Sequence, residues 1–119
     1  MSEFKFTPGP WHVGEGPQAQ IVYDKDGWGV ASATVFHRKH EPGSTLHNAK
    51  LIAAAPDLFY VLKATVDNAE QRAFEDWLTR TAPGGDCDSV HSQWIESSDC
   101  SDFASDWDLQ LTAIAKATA

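Results

Sequence analysis

The chain has 119 residues, 42% of them apolar, with five Trp, six Phe and a formal net charge of -8. That is ordinary globular composition and one domain's worth of length. It excludes the low-hydrophobicity, high-charge class that stays unfolded, and it is too short for two independent cores.

The chain opens with TPGPWHV at 7–13. Its two prolines forbid helix, and Trp11 and Val13 fall on one face of an extended segment, which predicts a first strand. QIVYDKDGWGVASATVF at 20–36 holds two runs rich in β-branched and aromatic residues around Asp24-Lys25-Asp26-Gly27. Gly27 can supply the positive φ of a hairpin loop, so strands over about 20–23 and 28–36 are expected. In the second of them Trp28, Val30, Ser32, Thr34 and Phe36 alternate with Gly29, Ala31, Ala33 and Val35. One face is bulky and the other small, the pattern of a sheet with a helix laid across it.

The polar connector HRKHEPGSTLHN at 37–48 leads to a helix whose N-cap is Ser44 or Thr45. Leu46, Ala49, Ile52 and Ala53 recur at helical spacing. Pro56 is expected to end this helix and to begin a second, over about 57–80, with Asp57 near its positive end. Leu58, Val61, Leu62, Thr65, Ala69, Phe74, Trp77 and Leu78 then follow a helical period. TAPGGD at 81–86 breaks the pattern and can act as a hinge. Beyond it SVHSQWIES and SDFASDWDLQLTAIAKA predict two helices opened by Asp or Ser caps. Phe103, Trp107, Leu111 and Ile114 form an inward stripe, with Asp99, Asp102 and Asp106 on an adjoining face. The fold expected is α+β: a small antiparallel sheet made of an N-terminal strand plus a hairpin, packed by helices, with a helical C-terminal half. A single domain over 1–119 is expected, residues 1–66 forming the hairpin and spine helix and 67–119 an acidic helical part.

Charge is unevenly placed. Residues 1–66 carry six Lys/Arg and six Asp/Glu, whereas residues 67–119 carry three and eleven. Asp86, Asp88, Glu96, Asp99, Asp102, Asp106 and Asp108 follow one another with no base between them. Such a run repels a nucleic-acid backbone and suits a basic partner surface, so these seven acids are the candidate partner-binding set. His37, Arg38, Lys39 and His40, just before a helix start, are a candidate anion site, since free backbone N–H groups and two cations favour a phosphate there. His37, His40, Glu41 and His47 lack a fixed metal-ligand spacing, and no metal or other cofactor is expected.

Cys87 and Cys100 fit neither a disulfide framework nor a zinc pattern and read as reduced thiols. Ser89, His91 and nearby aspartates have no sharp nucleophile turn and no oxyanion donors, so no catalytic residue is assigned and a non-enzymatic protein is expected. Trp28, beside the hairpin turn, is a candidate exposed contact anchor. The opening MSEFKFTPGP lacks the basic start and apolar stretch of a signal peptide, and no apolar run reaches the roughly 18 residues of a spanning helix. A cytoplasmic protein without membrane contact is expected.

FTPGPWHV, followed about 35 residues later by HNAKLIAAAPDLFYVLKA, resembles a family of small phage and prophage proteins with a T-P-G-P-W opening and an N-A-x-L-I-A-A-A-P-[DE]-L-[LF] helix. The matching positions are Thr7 to Trp11 and Asn48 to Phe59. The resemblance covers roughly the first 65 residues and carries no catalytic residue. It implies action inside a host bacterial cell and shifts the expectation towards a binding protein that disables a host defence. In one mechanism the acidic surface mimics nucleic acid and occupies the basic groove of a nucleic-acid-handling complex such as a CRISPR effector, as an anti-CRISPR-like inhibitor does. In a second, the loop at 37–40 sequesters a signalling nucleotide. In a third, the protein is an accessory phage component whose charge serves solubility. A homodimer is compatible with each.

Overall fold

The computed structural model describes residues 4–33 and 44–119. They form three short strands, β1 (His12–Val13), β2 (Ile21–Tyr23) and β3 (Gly29–Ser32), followed by four helices: α1 (Ser44–Thr81), α2 (Cys87–Ile95), α3 (Ser98–Asp106) and α4 (Asp108–Thr118). The α+β class is therefore as the sequence pattern implied. Two compact units divide at Tyr60 and Val61, inside α1.

In the first unit the strands make one antiparallel sheet in the order β1-β2-β3. His12 pairs with Tyr23 across β1 and β2, and their rings stack at 5.8 Å, the kind of cross-strand contact that sets register. The hairpin turns where expected. Asp24 accepts from the backbone N–H groups of Asp26 and Trp28, both at 2.9 Å, and Gly27 takes φ 89°. A shift of register between Val22 and Tyr23 lets β3 start at Gly29, one residue later than the pattern suggests. The remainder of the predicted second strand, from Thr34 to Phe36, lies outside the described residues.

The small face of β3 is the one that packs. Val22, Ala33 and Ala49 are buried together, with Trp11, Val13, Ala31, Ile52 and Ala53 around them. Alanines on both sheet and helix let the two backbones approach closely. Phe4 and Phe6 stack at 5.5 Å, and both meet the ring of buried Phe59 edge-on, at 4.9 and 5.2 Å.

One expectation is corrected here. Pro56 does not separate two helices; α1 runs through it for 38 residues. Proline withholds its own N–H from Ile52 and crowds the preceding turn, a cost that favours a break when the site is solvated. Here Pro56 is buried, and Gly9 lies directly against it: a Cβ on Gly9 would stand 2.7 Å from the Pro56 Cβ. Packing by the N-terminal segment holds the helix together where local preference would divide it.

In the second unit Phe74 and Trp77 of α1 and Trp94 of α2 form an aromatic trio with centroids 5.5 to 5.8 Å apart. Trp77, Trp94, Phe103 and Val66 are buried. The breaker at 82–86 is real: Ala82 adopts φ 43° and Gly85 φ 110°. A second correction falls on the last predicted helix, which is interrupted at Trp107 (φ -109°, ψ 22°) to give α3 and α4. The interruption moves Asp108 into the first turn of a new helix, where the dipole favours a carboxylate. It is local, because Trp107 N–H still bonds Phe103 O at 3.0 Å and Leu111 N–H still bonds Trp107 O at 2.9 Å. The apolar stripe therefore persists: Phe103 is buried, Trp107, Leu111 and Ile114 are half-buried, and the rings of Phe103 and Trp107 stack at 6.2 Å.

Candidate functional site

The seven acids between Asp86 and Asp108 do not form one uniform surface. Their helices assign them different tasks. Asp86 is the N-cap of α2, and its carboxylate accepts from Ser89 N–H at 2.8 Å. Asp88 lies in the first turn of α2, Asp99 in that of α3 and Asp108 in that of α4. Each sits where unpaired N–H groups and the helix dipole stabilise negative charge. Ser97 caps α3: its Oγ accepts from Cys100 N–H at 3.1 Å and donates to Trp94 O at 2.6 Å.

Asp99 has a further partner that the sequence run conceals. Arg80, in the last turn of α1, donates through Nη2 to Asp99 and through Nε to Asp76 at 3.0 Å. Asp76 first, and then Asp99, raises the guanidinium pKa further above its already high value. The reading that no base answers these acids is thus corrected for Asp99: its counter-charge comes from nineteen residues upstream.

Glu96, Asp102 and Asp106 are different. All three are exposed. Ion pairs among the described residues join Lys63 to Asp67 and Arg80 to Asp76 and Asp99, and none uses these three. Glu96 occupies the C-cap of α2 and Asp106 the last position of α3, and each directly precedes the N-cap of the next helix, so the two helix dipoles that meet there offset one another. Asp102 and Asp106 are also four apart on one helix, a mildly repulsive spacing.

The basic set His37, Arg38, Lys39 and His40 lies outside the described residues. Trp28 stands 73% exposed beside the hairpin turn, a position compatible with a contact anchor. Ser89 and His91 lie two positions apart on α2 and so point to different sides of the helix, which disposes of any pairing between them as nucleophile and base. Both cysteines are free thiols. Among the described residues no three His, Cys, Asp or Glu side chains converge as metal ligands, and no helix is long and apolar enough to cross a membrane.

Sequence reasoning missed one feature. Glu70, Gln71 and Phe74 of α1 and His91 and Trp94 of α2 line an open cleft of about 150 Å³. Phe74 and Trp94 meet edge to face in it, 5.5 Å apart. The available signal was the i, i+4 spacing of Glu70 with Phe74 and the i, i+3 spacing of His91 with Trp94, which sets a polar group beside an aromatic on each helix. Cys100 lies within reach of this charge: burial, and then the negative Glu70, push its thiol pKa up.

Over residues 1–119 the chain matches the family described as Salmonella phage P22 protein Y8K6. The match spans the acidic helical half as well as the N-terminal part of the chain. No curated protein and no solved structure matches.

Proposed function

The chain belongs to the family of Salmonella phage P22 protein Y8K6, and on that premise we propose that it is a phage-encoded inhibitor of a host defence system. It acts by binding, not turnover. Its acidic helical part occupies the basic groove of a nucleic-acid-handling protein, with carboxylates standing where phosphates would stand, in the manner of an anti-CRISPR inhibitor.

One observation supports the reading above others. Glu96, Asp102 and Asp106 are exposed and outside the ion pairs of the described residues, and Asp102 and Asp106 stand four apart on α3, where like charges repel. No ion pair among the described residues uses them, and the Asp102–Asp106 repulsion is a small cost to α3. Exposed charge without such a partner fits a role towards a second molecule. Asp86, Asp88, Asp99 and Asp108 contribute to the same field, but each also has a structural reason to be acidic.

The test is displacement. The immobilised protein is exposed to bacterial lysate at low salt, and the retained fraction is challenged with duplex DNA and, separately, with high salt. A nucleic-acid-binding protein retained at low salt and released by both challenges supports the proposal. Retention of proteins that neither challenge releases, or of none at all, refutes it.

A further inference from the structure

The cleft between α1 and α2 combines three features that belong together chemically. Its size comes first: at about 150 Å³ it is well below the roughly 300 Å³ at which pockets begin to hold drug-sized molecules, so it fits one side-chain head group. Next is its floor, where half-buried Phe74 presents aromatic surface, backed edge-on by buried Trp94. The third is Glu70 at its rim, an exposed carboxylate that takes no part in the ion pairs of the described residues.

Aromatic surface beside an unneutralised carboxylate attracts an organic cation, through the ring quadrupole and through charge. A guanidinium suits the cleft better than an ammonium, because its plane can lie on a ring while its edge donates to a carboxylate. Gln71 adds an amide oxygen as acceptor, and His91 adds a ring nitrogen that accepts when the imidazole is neutral. That Glu70 acts on its surroundings as a charge is also felt at Cys100, whose thiol is raised by burial and then by Glu70.

We infer that this cleft is the seat for one arginine side chain of the bound protein, its guanidinium lying against Phe74 and paired with Glu70. The inference rests on the proposed binding function and deepens it. The acidic face supplies long-range attraction, and the cleft supplies a single desolvated anchor of the kind that carries much of an interface's affinity.

The experiment needs no partner. Nα-acetyl-arginine amide is titrated into the intact protein while the Trp94 indole N–H and His91 ring resonances are followed by NMR. The isosteric, uncharged Nα-acetyl-citrulline amide serves as control. Saturable shifts at both residues are expected with the arginine compound, weakened about five- to tenfold in Glu70→Gln and absent with citrulline. Glu70 is exposed, so the variant keeps the fold, which an unchanged melting temperature verifies. Equal response to both compounds, equal response in Glu70→Gln, or no saturable shift overturns the inference. Because the titration is independent of the defence target, its failure leaves the displacement test standing, and failure of that test leaves the cleft's chemistry intact.

Discussion

At single residues, the acids of the second half differ in what each one touches. Asp86 is a cap, and Asp86→Ala should lower stability by about 1 kcal/mol in denaturant unfolding. Asp102→Lys should do the reverse, adding a few tenths of a kcal/mol, since it turns a repulsive i, i+4 pair with Asp106 into an attractive one. A loss of stability in that variant would show that Asp102 has a structural partner after all. The cysteines give a second check. At a given pH the raised pKa of Cys100 leaves less thiolate, so alkylation should proceed at Cys87 first, and Glu70→Gln should accelerate it at Cys100. Equal rates at the two thiols would contradict the burial and charge assigned to Cys100. The caps at Asp86 and Ser97 were legible because a cap is written within four residues of sequence. Arg80 with Asp99 was not, because a pair nineteen residues apart is made by packing.

At the scale of elements, Pro56 shows how packing overrides preference. Proline costs a helix interior roughly 3 kcal/mol relative to alanine, while the two ring carbons lost on truncation are worth about 0.8 kcal/mol each when buried. Pro56→Ala should therefore raise stability by a net ~1 kcal/mol, seen as a higher melting temperature. Lowered stability would mean that the contact with Gly9 contributes more than the helix penalty removes. Gly9→Ala sets a methyl 2.7 Å from the Pro56 Cβ and should cost about 1–3 kcal/mol by overpacking. The sequence pattern located both the apolar period and the proline, but the sign of the outcome depends on residues forty-seven positions earlier in the chain. The break at Trp107 escaped notice for the opposite reason. Its helical hydrogen bonds continue on both sides, so the apolar stripe crosses it without a change of period.

At the scale of the whole molecule, the small sheet, its helical cover and the helical second half were legible because alternation, helical period and turn residues all pointed the same way. The candidate site was legible only as a sign of charge. Residues 67–119 carry eleven acids against three bases, but which of those acids are used up by caps, dipoles and Arg80 is decided in three dimensions. The cleft at Glu70 was hidden because Phe74 and Trp94, read along the chain, are simply core aromatics. The most direct measurement compares the unmodified protein with the variant carrying Glu96→Lys, Asp102→Lys and Asp106→Lys for affinity towards the nucleic-acid-binding protein retained from lysate, across a salt series. The account predicts tight binding by the unmodified protein that weakens steeply with salt, and loss of binding by a variant that keeps its fold. Equal affinity in the two, or binding insensitive to salt, would contradict it.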